Sequence, residues 1–320
     1  MPRRSQATRC PQIGAIILAL VALFVARRSA YASESGVSTY KTGLLDMFAG
    51  YLPRPGTGVS KTYFVYGDSS GDVVTADGKI EINAKVHSYI VVEELFYGTK
   101  LSLLGSNWAL GVVELGGVLS GNSKVGPTAI AARRWQTSTV GGLCDIILVP
   151  IALHWDFGQL HLVSAASGYA PTGAYDKQRM LNLGKNRWAL ESDAGLTWMN
   201  EKGGEEVSLF VGYTTNLKNP ATHYRSGDEF HTDFAMVEHL RTGLTLGIAG
   251  YAFQQVTGDS GSGAILGPFK GRVLALGPLV DESFRIGEIP FDLAMKYELE
   301  FEAQNRGTGD SLWVSLAFKF

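Results

Sequence analysis

Cysteine is scarce in this chain, with only Cys10 and Cys144 among 320 residues. Cys10 falls in a stretch that reads as a removable leader, so the mature fold stands without an internal disulfide. Charge is sparse too. Asp, Glu, Lys and Arg together make 18% of the chain, against roughly 25% in ordinary soluble domains. Beyond the first thirty residues no apolar run reaches the ~20 residues a transmembrane helix requires. No amphipathic helix of ordinary length is legible after Pro53, which argues against helical membrane proteins and helical bundles. The histidines, His87, His154, His161, His223, His231 and His239, are scattered, with no nucleophile spaced to pair with them. Cys144 has an acid, Asp145, beside it rather than a base. The oxygen-rich stretches 68–72 and 258–263 lack the twelve-residue calcium pattern with its terminal Glu and read as ordinary turns. Neither catalysis nor a metal or other cofactor is expected.

What is present begins with a targeting segment. Arg3, Arg4 and Arg9 precede the apolar run Ile13–Ala26, and Ala30-Tyr31-Ala32 supplies a small-x-small site. Residues 1–32 therefore read as a secretory signal peptide. Its removal takes five Arg and no acid from 28 basic and 30 acidic residues, leaving a net charge of about −7 that argues against nucleic acid as a partner.

The rest is strand-like. In Phe291–Arg306 the odd positions from Phe291 to Phe301 are apolar, while the even ones are Asp292, Ala294, Lys296, Glu298, Glu300 and Glu302. A period of two separates two environments. Twelve such segments are expected, at about 58–67, 83–97, 105–119, 142–155, 159–170, 187–199, 205–216, 229–240, 243–256, 270–281, 290–303 and 309–320. Tight joins tend to alternate with long ones, as in outer-membrane barrels. The last strand alternates Leu312, Val314, Leu316, Phe318 and Phe320 and ends on the aromatic, a pattern resembling the signal read by the outer-membrane assembly machinery. The fold class expected is all-β: a closed, antiparallel, up-and-down transmembrane barrel of about twelve strands over residues 57–320. Residues 33–56 precede it as a periplasmic or plug segment, with a short helix over 40–51 stopped by Pro53 and Pro55.

Strand parity turns Trp188, Leu190, Trp198, Val207 and Leu209 toward lipid. It turns Glu191, Asp193, His231, Asp233, Arg272, Asp292, Lys296, Glu298 and Glu300 toward the lumen. Acids predominate there, and rings of acids bias a pore toward cations or polar solutes.

Several blocks carry a family resemblance: Ala49-Gly50-Tyr51-Leu52-Pro53-Arg54-Pro55-Gly56, Ala170-Pro171-Thr172-Gly173-Ala174-Tyr175-Asp176, Leu183-Gly184-Lys185-Asn186-Arg187-Trp188, and the stretch Asn216–Asp228. In this order the chain resembles the meta-pathway of phenol degradation family of outer-membrane proteins. The resemblance implies a channel in the Gram-negative outer membrane that takes up aromatic or other hydrophobic compounds, with membrane lipid, the assembly machinery and a small-molecule solute as partners. Tyr175, Asp176, Tyr224, Arg225 and Asp228 then frame an entrance. Two readings stand: a passive channel for small organic compounds, and a closed structural or surface-binding barrel that transports nothing.

Overall fold

The computed structural model describes residues 38–74, 80–125, 134–179, 181–265 and 267–320. The leader expected over residues 1–32 lies outside them. Thirteen strands are found among the described residues: β1 (Gly58–Val74), β2 (Ile80–Leu103), β3 (Ser106–Val125), β4 (Arg134–Leu143), β5 (Ile146–Phe157), β6 (Leu160–Ala170), β7 (Ala189–Met199), β8 (Glu205–Asn216), β9 (Glu229–His239), β10 (Leu244–Gln255), β11 (Arg272–Ile286), β12 (Ile289–Gln304) and β13 (Thr308–Lys319).

All but β4 form a closed antiparallel ring of twelve. Its closure is the pairing of β13 with β1, from Val59↔Lys319 to Ser70↔Thr308. A bilayer offers no partner for open strand edges, so a spanning sheet must close. Alternation does the rest. Leu293, Met295, Leu299 and Phe301 are exposed on the outside, while Ala294, Lys296 and Glu298 are buried inside. The barrel is of the outer-membrane type, and its twelve spanning strands match the twelve segments read from the sequence. Trp188 and Trp198 lie exposed at the two ends of one outer stripe, where interfacial aromatics belong.

One end of the barrel carries tight joins. At Leu104-Gly105 both residues have positive φ (54° and 72°), the geometry that lets a two-residue hairpin follow strand twist. The opposite end carries the long connections 171–188, 217–228 and 256–271.

The fourth wall position departs from the pattern. β5 pairs with the lower part of β3 (Asn107↔His154 to Val113↔Ile147), whereas β4 pairs with its upper part (Gly116↔Leu143 to Val125↔Arg134). The chain is interrupted at Cys144-Asp145, and among the described residues β4 has β3 as its sole strand partner. Much of what the sequence suggested was a loop from Ser120 to Gly141 is thus strand extending beyond the belt.

Two other expectations are corrected. Residues 40–51 contain no helix; they form turns with one isolated bridge, Asp46↔Phe48. The stretch Asp68–Asp72 is not a turn but part of β1, paired as Asp68↔Asp310 and Ser69↔Gly309. Gly67-Asp68-Ser69-Ser70-Gly71 spells G-x-S-x-G, yet in an extended strand it makes no strand-to-helix elbow to present a nucleophile.

Candidate functional site: the barrel interior

The inward side chains and the segment ahead of β1 build the interior together. Thr39 lies at the loop end, where its N–H donates to Glu229 Oε2 (2.8 Å) and its hydroxyl to Asn216 Oδ1 (2.7 Å). Deeper in, Asp233 accepts three bonds from the segment: the Tyr40 hydroxyl (2.5 Å) and the N–H groups of Gly43 and Leu45 (3.1 Å each). Further down, Phe48 N donates to Glu206 Oε1 (2.7 Å) and Gly50 N to Thr197 Oγ1 (2.9 Å). The segment reaches the turn end at Gly56, whose N–H meets Gly98 O (2.7 Å). It therefore threads the barrel from end to end. The absent helix has its reason here. Wall carboxylates and a hydroxyl accept the backbone N–H groups of Gly43, Leu45, Phe48 and Gly50, which in a helix would bond to the preceding turn. Gly43 is required in its place: its φ is +80°, and a Cβ would sit 2.5 Å from Glu298 Oε2.

Cations complete the latch. Asp46 lies 3.2 Å from Lys61 Nζ and 3.3 Å from Lys296 Nζ, and Lys296 also donates to Gly43 O at 2.5 Å. Lys296 and Lys41 lie 4.9 and 5.2 Å from the centre of the buried Trp313 ring, within cation–π reach.

The opposite interior wall is apolar. Tyr63, Val65, Ile90, Val92, Val113 and Leu115 pack in one cluster with Tyr40 and Leu44 of the segment and with Leu183 of the β6–β7 connection. That connection folds over the flank β6 leaves open beside β4. Asp145 Oδ1 accepts from Gly173 N (2.9 Å) and Oδ2 from Lys185 N (2.7 Å), while Ala174 N donates to Leu143 O (2.9 Å). Burial, with Arg187 adding to it, brings the Lys185 ammonium down to about 8. The interior is thus mostly apolar over β1–β5, apart from Lys61 and Glu94, and mixed over β7–β12, where the buried acids share the wall with apolar clusters such as Tyr251, Phe253, Val273 and Ala275.

The structure places the residues singled out by parity as follows. Glu191, Asp193, His231, Asp233, Lys296 and Glu298 are buried on the inner face. Glu300 accepts from Tyr251 OH (2.7 Å) and pairs with Arg306 (3.0 Å) near the loop end. Arg272 lies 3.9 Å from Glu302, and Asp292 accepts from Ser283 near the turn end. Among the loop residues, Tyr175 and Tyr224 meet at Asn219, whose backbone N–H donates to Tyr224 O (2.8 Å). The Tyr175 hydroxyl accepts from Asn219 Nδ2 (3.0 Å), while Asp176 takes the N–H of Gln178 within its own loop (2.9 Å). Arg225 pairs with Asp228 at 3.1 Å. Tyr224 is buried and donates to Asp259 (2.5 Å). Phe318 lies between Phe291 (5.8 Å) and Phe320 (6.0 Å) at the turn end, its ring tilted to both. Sequence reasoning missed Asp46, Lys61, Glu206 and Glu229, which hold the segment, and Asp145 and Asp259, which hold loops. For Glu206 and Glu229 the signal existed, since each shares the inward parity of its strand.

No curated protein matches the chain. Among solved structures, the COG4313 outer membrane channel from Pseudomonas putida F1 aligns with a TM-score of 0.66 at 15% identity, covering 86% of this chain and 98% of that one. At that identity the likeness shows the fold. A Pseudomonas aeruginosa FadL homologue (TM-score 0.38, 11% identity, 85% and 91% covered) and OmpT of Vibrio cholerae (0.36, 9%, 82% and 98%) are more distant barrels that carry no argument here. The family described as "Putative MetA-pathway of phenol degradation" matches residues 66–316, most of the chain, and the chain belongs to that family.

Proposed function

We propose that this protein is an outer-membrane channel for passive entry of small organic molecules, aromatic ones included. In this reading residues 33–56 act as a plug inside the barrel of residues 57–320. The observation that carries it is the division of the interior. An apolar wall of Tyr63, Val65, Ile90, Val92, Val113 and Leu115, covered by Tyr40 and Leu44 while the segment is seated, gives a planar apolar solute a surface out of water once the segment shifts, while the acids opposite bond the segment's backbone. The charged lumen and an apolar cargo are then no longer in conflict, because they occupy different sides. The solved barrel from P. putida is described as a channel, which supports the same reading. A leader cleaved near residue 32, and Phe318 with Phe320 as the mark read by the assembly machinery, complete it.

One observation favours the closed-barrel alternative: the segment occupies the interior from end to end. A single assay separates the two. Uptake of labelled phenol or toluene is measured in a deletion strain complemented with the full chain, or with a chain lacking residues 38–49. A channel gives faster uptake than the empty vector, faster still without the segment. Uptake equal to the empty vector in both strains, with the barrel folded in the outer membrane, refutes the channel and leaves the structural reading.

A further inference from the structure

Within the acidic wall, one group is not absorbed by the latch. Asp193 on β7, Gly212 on β8 and His231 on β9 form a single row across three strands, paired as Asp193↔Gly212 and Gly212↔His231. Glu191 stands two residues from Asp193 on the same inward face. One ligand atom from each of Glu191, Asp193 and His231 falls within 4.8 Å of the others. His231 Nε2 and Glu191 Oε2 are 3.4 Å apart, the edge of a tetrahedron about an ion ~2.1 Å from each ligand.

The middle of the row is empty of side chain. A Cβ on Gly212 would lie 2.3 Å from both Cε1 and Nε2 of His231 and 2.9 Å from Asp193 Oδ1. Glycine thus lets the imidazole edge and the Asp193 carboxylate meet over the β8 backbone. Among the described residues, neither ring nitrogen of His231 nor Asp193 Oδ1 has a hydrogen-bond partner, and His231 is fully buried. Buried polar atoms of native proteins are normally satisfied, and an unpaired one is costly. Hydroxyls hold both carboxylates, on Glu191 at the oxygen that faces His231 and on Asp193 at the oxygen turned away from the row. Tyr169 OH donates to Glu191 Oε2 at 3.0 Å, Thr214 Oγ1 donates to the same oxygen, and Ser167 Oγ donates to Asp193 Oδ2 at 3.2 Å. Such outer contacts orient metal ligands. Tyr40 of the segment stacks on the imidazole, with centroids 3.7 Å apart and planes 8° from parallel.

We infer that Glu191, Asp193 and His231 form a site for one first-row divalent cation of the Zn2+ class, seated over Gly212. Two carboxylate oxygens and one imidazole nitrogen suit such an ion, with water in the fourth position. The ion joins β7 to β9 and supplies the positive charge that two adjacent buried acids lack. Its occupancy does not depend on whether the barrel conducts.

The test uses the full chain, purified in detergent from membranes of cells grown with and without added Zn2+. Bound metal is measured by elemental analysis after removal of free ion, and Co2+ is exchanged in to read coordination from its visible absorption. The wild type is expected to hold one ion per chain, with a four-coordinate Co2+ spectrum. Gly212→Ala and His231→Gln are expected to weaken binding at least roughly tenfold and abolish that spectrum, while the barrel keeps its heat-dependent shift in gel mobility. A folded wild type without Zn2+, or Zn2+ retained equally by both folded variants, overturns the proposal. If the variants do not fold, anomalous scattering at the zinc edge from wild-type crystals decides: a peak over Gly212 supports the site and its absence refutes it.

Discussion

Replacing Lys296 with methionine tests the latch directly, because the side chain keeps its length and loses its charge. Lys296 is 3% exposed. It lies 3.3 Å from Asp46 and 3.7 Å from Glu298, and donates to Gly43 O. Neither oxygen of Glu298, itself 1% exposed, has a hydrogen bond, so Lys296 is its compensating charge. Removing one partner of a buried pair costs about 3–5 kcal/mol. Asp46 keeps Lys61 at 3.2 Å, which places the loss at the lower end, about 3 kcal/mol. This penalty falls on the plugged state. With the segment gone, water reaches Glu298 and solvates it, whereas the wall strands are held by backbone pairing that the substitution leaves intact. A change of about 3 kcal/mol shifts the balance between held and released segment by roughly a hundredfold. Conductance in planar bilayers is expected to rise in Lys296→Met, and proteases to cut within residues 38–56 far faster than in the wild type. Pairing it with Asp46→Asn should give a coupling energy above about 1 kcal/mol. Unchanged conductance together with unchanged protection of the segment, in a folded barrel, would refute the latch.

Three further outcomes follow from the same geometry. Glu114 faces outward opposite Glu93 in the β2–β3 pairing, between the inward-facing, buried Val113 and Leu115; Glu114→Leu should raise unfolding stability by roughly 1–2 kcal/mol in lipid vesicles, and a loss of stability would show that this face meets something other than lipid. Asp259 accepts from Tyr224 OH, Gly227 N (3.0 Å) and Gln255 Nε2 (2.7 Å). Asp259→Ala leaves those donors without their acceptor at about 2–4 kcal/mol, and its effect should appear as faster proteolysis within 217–228, with the strands still protected from hydrogen exchange. Lys185, brought down to about 8 by burial, binds fewer protons in the folded loop than in the unfolded chain between that pH and the ordinary lysine value near 10.4. The 171–188 connection should therefore gain protection from hydrogen exchange, after correction for intrinsic rates, as pH rises from 8 to 10; no gain, or a loss, would place the ammonium in water.

How much of this was legible in the sequence depended on whether the two faces of a strand differ chemically. In β12 they do: Leu293, Met295 and Leu299 alternate with Lys296 and Glu298, so period and parity alone assign lipid and lumen. In β1 to β3 they do not. Phe64 faces out while Tyr63 and Val65 face in, and Val91 faces out between Ile90 and Val92. A strand greasy on both faces carries no parity signal, so the apolar half of the interior stayed hidden while the acidic half stood out. The break at Cys144-Asp145 left a fainter trace. Pro150, inside an expected strand, marks a register shift between Leu148 and Ile151, as proline within a sheet commonly does. The segment was misread as helical because local pattern cannot anticipate acceptors contributed from far along the chain, and Asp233 meets Gly43 across 190 residues. These blind spots share one cause. A barrel that were merely an open pore would line its lumen with one chemistry and let parity report it. Here the lumen bonds the segment ahead of β1 to acids on one side and packs it against apolar residues on the other. The rows that parity could not read are therefore those on that apolar side, where the proposed solute path would run.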